Sequence, residues 1–93
     1  MAITWDETKR RRTIEDRGLD FADAAKVFAG RTITVPDDRR DYGEERNITA
    51  GKLENRFVIV VWTLRDGDRR IISMRYGHAD EEAYYQEEMD RSR

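Results

Sequence analysis

The sequence has no cysteine, one proline and one histidine among its 93 residues. The absence of cysteine excludes disulfide bonds and thiolate metal sites. With His78 as the single histidine, and no spaced cluster of histidine and carboxylates, we expect no metal site. The six glycines are scattered at turns, so the chain has no glycine-rich phosphate-binding loop, and we expect no cofactor.

Long apolar segments are also scarce. The one long apolar run, residues 57–64, is too short to span a membrane. Near Met1 there is no basic segment followed by an apolar core, and no lipidation motif is present. We therefore expect no signal peptide, no contact with a membrane and a cytoplasmic location.

Charge dominates what is present. Charged residues make up 41% of the chain and hydrophobic residues 38%, whereas an average domain has roughly 25% charged residues. We predict one domain over residues 1–93, with a small core and a highly charged surface. The net charge of −2 combines an acidic stretch, residues 79–93, with a mildly basic remainder. The basic part allows contact with nucleic acid, although the overall charge does not argue for it.

The pattern of residues 56–77 predicts a β-hairpin at the centre of the fold. Residues 57–64 are rich in β-branched and aromatic side chains, Asp66-Gly67 favours a tight turn, and residues 70–76 form a second strand. Regular alternation in that strand places Arg70 and Arg75 on opposite faces unless a bulge intervenes. Because cations on a sheet are costly to bury, these two arginines are the first functional clue.

Two helices are predicted before the strands. Thr4 is the predicted N-cap of the first helix, which ends at Gly18. Asp20 is the predicted N-cap of the second helix, which ends at Gly30. Residues 9–12 of the first helix, Lys-Arg-Arg-Arg, either bind phosphate, bind an acidic partner or are simply solvated.

Two further strands and a last helix complete the pattern. The strands are predicted at residues 31–35 and 46–53, separated by a charged loop that is either functional or a solvated connector. Residues 79–90 predict the last helix, with Ala83, Tyr84 and Met89 as candidate buried positions. The order α-α-β-β-β-β-α predicts an α+β fold in which helices accompany one antiparallel four-stranded sheet.

The residues leave two kinds of function open: metal-independent chemistry on a phosphodiester, or binding without chemistry. RNA carries its own nucleophile, the 2′-OH, so a small protein must supply a base, cations and an acid. Arg70 and Arg75 suit the role of neutralising phosphate charge. Tyr76 can stack on a base or donate a proton, and His78 can take part in proton transfer. Equally, Tyr76 can belong to the core, and His78 can cap the last helix.

Motifs along nearly the whole chain resemble those of the BrnT toxins of type II toxin–antitoxin systems. The matching pieces are Trp5-Asp6-Glu7 with Lys9, Gly18 followed by Phe21, Ala25-x-Val27-Phe28, Asp41-Tyr42-Gly43-Glu44 with Arg46, Val60-Val61-Trp62-Thr63 with Arg65, and Arg70-Ile71-Ile72-Ser73 with Arg75. The resemblance implies a RelE-like fold and a toxin that cleaves RNA and inhibits translation. It also implies a BrnA-type antitoxin, a ribbon-helix-helix protein through which the toxin contacts DNA only indirectly.

The chain departs from this pattern before Gly18, where Asp16-Arg17 stands in place of the Lys-His usual in the family. Two hypotheses follow: a metal-independent endoribonuclease, or a catalytically degenerate toxin-like module that binds the antitoxin and modulates repression of the operon. Under the first hypothesis, we predict catalytic roles for Arg75, Arg70, Tyr76 and His78, and RNA contacts from Lys9, Arg12, Arg39, Arg40, Tyr42 and Arg46.

Overall fold

The computed structural model describes residues 1–91, which form a five-stranded sheet with three helices. The strands are β1 (Ile3–Thr4), β2 (Ile33–Pro36), β3 (Asn47–Leu53), β4 (Arg56–Arg65) and β5 (Asp68–Tyr76). The helices are α1 (Glu7–Arg17), α2 (Ala24–Ala29), which a 3₁₀ turn at Phe21–Asp23 precedes, and α3 (Ala79–Arg91). The predicted α+β class is confirmed. Within residues 1–91, no helix is long and apolar enough to cross a membrane.

The sheet is mixed, so the prediction of four antiparallel strands was wrong. Its strand order is β1-β5-β4-β3-β2, and β1 pairs with β5 in parallel while the other pairs are antiparallel. The added strand is held by backbone bonds, including one from the N–H of Arg69 to the carbonyl of Ala2 at 2.9 Å. Two residues are too few to show the side-chain alternation by which strands are recognised in a sequence.

The predicted hairpin lies at the centre of the sheet. Residues 57–63 of β4 are all buried, as expected of a strand that is covered on both faces. Asp66 and Gly67 both adopt positive φ angles, 54° and 82°, which is the conformation that a two-residue type I′ turn requires. The hairpin prediction is therefore confirmed in both its strands and its turn.

The two faces of β4 contact different partners. Val58, Val60 and Trp62 lie on the face that packs against α2 and the preceding 3₁₀ turn, which we call the core face. Phe57 and Ile59 lie on the opposite face, where Tyr85 of α3 packs against them. We call this second side the groove face. On the core face, the indole N–H of Trp62 donates to the Thr49 hydroxyl at 2.8 Å, which satisfies a buried polar group.

A bulge in β5 breaks the regular alternation of its side chains. Val61 pairs with Ser73 whereas Trp62 pairs with Ile71, so Ile72 is an extra residue on the β5 side. Ile71 and Met74, three positions apart, are consequently both buried in the core-face cluster. A bulge shifts the alternation of side chains along the strand by one residue. Residues before and after it that would face opposite sides of a regular strand therefore face the same side, and this applies to the charged residues of β5.

The helix ends agree only in part with the prediction. Asp6, not Thr4, is the N-cap of α1, because its carboxylate accepts a hydrogen bond from the N–H of Lys9 at 3.0 Å. Thr4 is instead engaged in β1. Gly18 ends α1 in the left-handed conformation, as predicted. Asp20 caps the second helical segment by accepting from the N–H of Ala22 at 2.9 Å, also as predicted.

Helix α3 faces the sheet with a different set of residues from the predicted set. Ala83 and Tyr84 are exposed, while Tyr85 is half-buried and Met89 is buried. Tyr85 and Met89 are four positions apart and thus lie on one side of the helix. The prediction was right for Met89 and wrong for Ala83 and Tyr84, since two adjacent tyrosines cannot both point inward.

Helix α1 buries none of its residues and is held mainly by polar contacts. Arg10 donates from Nε and Nη2 to the two carboxylate oxygens of Asp20 at 2.8 and 3.0 Å, and it also donates to Glu7. This bidentate contact lowers the pKa of the Asp20 carboxyl. Arg10 therefore links α1 to the start of the next helical segment, in a helix that lacks an apolar face.

Gly77 allows close packing at the end of β5, and its replacement tests that packing. A Cβ at this position would lie 2.2 Å from Cδ2 of Phe57, whose ring is buried. We expect Gly77→Ala to lower the free energy of unfolding by about 1–3 kcal/mol, the usual cost of overpacking a core. Gly30→Ala is the matched control, because its nearest contact would be an ordinary 3.6 Å. Urea denaturation of both variants measures the difference, and equal midpoints would contradict the argument.

Candidate functional site

A continuous groove crosses the groove face between α1, the loop of residues 37–46 and α3. It consists of three adjoining depressions. The one along α1 shares Lys9, Arg46 and Ile72 with the second depression, and Arg17 and Ser73 with the third. The two larger ones have volumes of about 360 and 350 Å³, within the range of roughly 300–1,000 Å³ typical of ligand sites. We call it the cationic groove, because cations outnumber carboxylates in its lining. The cations are Lys9, Arg12, Arg17, Arg39, Arg46, Arg65, Arg70 and Arg75, and the carboxylates are Asp6, Asp16, Glu44 and Glu81.

One wall of the groove is a side of α1. Lys9, Thr13 and Arg17 follow one another at intervals of four, so they lie on one side of the helix, and Arg12 joins them in lining the groove. Arg11 is not among the lining residues, and its side chain is 76% exposed. The basic run of residues 9–12 is thus divided among groove, solvent and the Arg10 contact with Asp20.

The floor of the groove depends on the bulge in β5. Arg70 pairs with Thr63 of β4, and Arg75 pairs with Ile59. Thr63 and Ile59 are an even number of residues apart on a regular strand, so both arginines stand on the groove face. A strand without the extra Ile72 would place them on opposite faces. The groove lining accordingly includes Arg70 at one end and Arg75 at the other.

Arg75 forms a bidentate ion pair at one end of the groove. Its Nη1 and Nη2 atoms each donate to one carboxylate oxygen of Glu81 at 2.8 Å. Glu81 also accepts from the backbone N–H of His78 at 2.9 Å, which is the contact that a capping box makes at a helix start. The Arg75 contact is the main reason that the pKa of Glu81 falls to about 2. Beside this pair, burial raises the pKa of the Tyr85 hydroxyl.

The loop of residues 37–46 forms the opposite rim. Arg39 makes a bidentate ion pair with the buried carboxylate of Asp37, at 2.7 and 2.8 Å. The guanidinium of Arg46 lies 4.0 Å from the ring centroid of Tyr42, and that of Arg40 lies 5.8 Å from it. Arg40 and Tyr42 line a separate depression that adjoins the groove through Glu44 and Arg46. The predicted RNA-contacting residues of this loop are therefore neighbours in space.

Two predicted catalytic residues lie outside the groove lining. Tyr76 is on the core face, where its ring stacks under the guanidinium of Arg56 at 3.7 Å. His78 is exposed at the start of α3, which agrees with the alternative prediction that it caps the last helix. The structure brings together Arg70, Arg75, Lys9, Arg12, Arg39 and Arg46 but not these two, whose catalytic roles stay predictions.

Sequence reasoning missed several residues that line the groove, among them Arg17, Arg65 and Tyr85. Arg17 could have been identified from the sequence, because it lies eight residues, or about two helical turns, after Lys9 and thus on the same side of the helix. Arg65 follows Val61 and Thr63 by alternation along β4 and is paired with Glu44 at 3.0 Å. Tyr85 follows Glu81 by one helical turn. In residues 1–91, no three side chains of His, Asp or Glu converge as a metal site would require.

The Arg75–Glu81 pair should make the stability of the fold depend on pH in the acid range. Because the pKa of Glu81 is lowered from 4.5 to about 2 in the folded chain, its ion pair contributes fully above the unfolded value and is lost as the pH falls toward 2. We expect the unfolding midpoint in urea to fall less steeply between pH 5 and 2 in Glu81→Gln than in the wild type. When Arg75 is replaced by alanine, Glu81→Gln should have a smaller effect on how steeply the urea midpoint falls with pH. If Glu81→Gln has the same effect with and without Arg75, the acid dependence comes from another partner of Glu81.

Comparison with known proteins identifies the family. Residues 5–81 match the family described as "Ribonuclease toxin, BrnT, of type II toxin-antitoxin system". No curated protein matches the chain. The family match covers most of the chain, from the strand–helix junction before α1 to the Glu81 that pairs with Arg75. On this basis, the chain belongs to the BrnT family of ribonuclease toxins of type II toxin–antitoxin systems.

Proposed function

We propose that this chain is a metal-independent endoribonuclease that inhibits translation, and that the cationic groove holds its RNA substrate. The observation that carries the proposal is the alignment of Arg70, Ser73 and Arg75 on one face of β5, opposite a helix that contributes Lys9 and Arg12. Such a row of cations suits a polyanionic backbone. The family match supports a ribonuclease toxin with an RNA substrate and an antitoxin partner.

The proposed reaction is an in-line transesterification. The 2′-oxygen of the RNA attacks the adjacent phosphorus, the bond from phosphorus to the 5′-oxygen breaks, and a 2′,3′-cyclic phosphate and a 5′-hydroxyl result. A base takes the 2′-OH proton, and an acid gives a proton to the 5′-oxygen. Arg70 and Arg75 neutralise the negative charge that grows on the phosphate oxygens, with the Arg75 guanidinium oriented by Glu81.

Proton transfer has several candidate groups. Tyr76 and His78 remain the residues predicted from the sequence. The groove itself offers a carboxylate, Asp16, and a phenol, Tyr85. Lys9, Arg12, Arg39 and Arg46 are proposed to hold flanking phosphates, and Tyr42, together with Arg40, extends the contact surface beside the groove.

A specific observation also favours the second candidate function, a catalytically degenerate module. Several groove cations already face carboxylates: Arg75 faces Glu81, Arg39 faces Asp37, and Arg65 faces Glu44. These pairs reduce the positive charge that RNA would meet. In this reading the chain binds a BrnA-type antitoxin, which we propose as the partner under both hypotheses, and modulates repression of the operon.

Cleavage without added metal tests the reaction. Purified protein in EDTA should cut single-stranded RNA to products with 2′,3′-cyclic phosphate ends, and it should leave the matching DNA intact because DNA lacks the nucleophile. Arg70→Ala should lower the cleavage rate by about 100-fold or more, the usual effect of removing one donor to the transition state. Arg75→Ala should also lower it severely.

Arg11→Ala is the matched control for these variants, because Arg11 is basic, exposed and outside the groove lining. Its cleavage rate should stay within about threefold of the wild type. Strict dependence on added Mg²⁺, or products with 5′-phosphate ends, would rule out the proposed mechanism.

Expression in cells separates the two candidate functions. The ribonuclease proposal predicts growth arrest and a fall in protein synthesis when the chain is induced alone, with rescue by a ribbon-helix-helix protein encoded beside it. The degenerate module predicts binding to the same partner without growth arrest. Arg70→Ala, which should abolish arrest and keep antitoxin binding, is the internal control. Arrest of equal strength in that variant would show that the toxicity has another origin.

A further inference from the structure

Arg17 occupies the junction of the cationic groove. It is the last residue of α1, and Gly18, with a φ angle of 69°, ends the helix immediately after it. The side chain lines both the depression along α1 and the depression between Arg75 and Tyr85. Ser73 is the other residue common to these two depressions. Arg17 therefore stands where the two larger parts of the groove meet.

The guanidinium of Arg17 is hydrogen-bonded to the sheet. Its Nη1 atom donates to the carbonyl oxygen of Met74 at 3.0 Å. That carbonyl is accessible because β1 pairs only with Arg69 and Arg70 of β5, which leaves the edge of β5 unpaired beyond the bulge. One N–H of the guanidinium is thus engaged by the backbone, and the planar group presents its other donors in a defined orientation.

Arg17 also differs from several other arginines of the groove in its charge environment. Arg75, Arg39 and Arg65 each have a carboxylate within 3.0 Å. For Arg17, no carboxylate of residues 1–91 lies within ion-pairing distance, and the Met74 carbonyl is a neutral partner. A guanidinium held by a neutral acceptor keeps its full positive charge for a ligand. A guanidinium that is hydrogen-bonded to the backbone and has no carboxylate partner suits a contact with the negative charge of a transition state.

We propose that Arg17 binds the scissile phosphate of the RNA and is a catalytic residue, so that α1 contributes to the reaction as well as to RNA binding. The inference rests on the proposed ribonuclease function. In the reaction, the bond between the 2′-oxygen and phosphorus forms as the bond to the 5′-oxygen breaks. Arg17 keeps its proton throughout and donates hydrogen bonds to the non-bridging oxygens, where negative charge accumulates.

Three substitutions at this position separate charge from structure. Arg17→Ala removes the side chain, Arg17→Lys keeps the charge without the planar fork, and Arg17→Gln keeps an N–H donor for the Met74 carbonyl without the charge. Urea unfolding of each variant reports whether α1 remains attached to the sheet. Arg11→Ala, on the same helix and outside the groove lining, is the control, and Arg12→Ala is the comparison for ordinary phosphate binding.

Steady-state cleavage of a short RNA in EDTA, measured over a range of RNA concentrations, gives kcat and KM. We expect Arg17→Ala and Arg17→Gln to lower kcat by about 100- to 1,000-fold with little change in KM, and Arg17→Lys to recover part of the loss. Arg12→Ala should chiefly raise KM. Binding of a fully 2′-O-methylated RNA, which cannot be cleaved, should be weakened far less by Arg17→Ala than cleavage is.

The outcomes distinguish this inference from the function on which it rests. If the wild type cuts RNA and Arg17→Gln cuts within about threefold of it, Arg17 is not catalytic and the ribonuclease proposal survives. If all losses appear in KM, Arg17 is a binding residue for flanking phosphates and the inference is overturned. If the wild type itself does not cut RNA, the ribonuclease proposal fails and the catalytic role of Arg17 falls with it.

Discussion

One extra residue in β5, Ile72, determines both the core and the candidate site. On the core side, it allows Ile71 and Met74 to be buried together although they are three positions apart. On the groove side, it aligns Arg70 with Ser73 and Arg75. In a regular strand, one of the two arginines would point into the apolar core, where an unpaired guanidinium is costly. The bulge is thus the condition under which this strand can be a core element and a cationic surface at once.

Pairing of charges gives the groove its internal order. The cations that approach carboxylates, such as Arg75 beside Glu81 and Arg39 beside Asp37, form rigid walls because two hydrogen bonds fix each guanidinium. Arg17 is held instead by a backbone carbonyl and keeps its charge. A groove in which every cation was free would repel itself, and one in which all were paired would not attract RNA. The mixture leaves some cations of the groove without a carboxylate partner while pairing enough of them to limit their mutual repulsion.

The sequence predicted those features that depend on local chemistry. Asp66-Gly67 gave the turn, the apolar run of β4 gave the central strand, and Gly18 and Asp20 gave their helix ends, because each signal is contained in a few adjacent residues. The features that were missed depend on distant partners. β1 exists because Ala2 meets Arg69 across the chain. The bulge, which the sequence left open as an alternative to regular alternation, lets β4 and β5 both bury their apolar residues. The helical spacing places Arg17 on the same side of α1 as Lys9, but that side lines the site only because α1 lies beside the open edge of β5.

Helix α3 explains why a chain with a cationic groove is acidic overall. Its acids are distributed by position: Glu81 faces Arg75, and Glu82 faces Lys52 across the groove face of the sheet. At the other end of the helix, Arg31 donates to the carbonyl of Met89 at 2.7 Å, a favourable contact for a helix C-terminus. Helix α3 is therefore attached to the rest of the chain by two ion pairs near its start and by an arginine–carbonyl hydrogen bond near its end. Since the same helix carries Glu81 and Tyr85 into the groove, its attachment fixes one wall of the site.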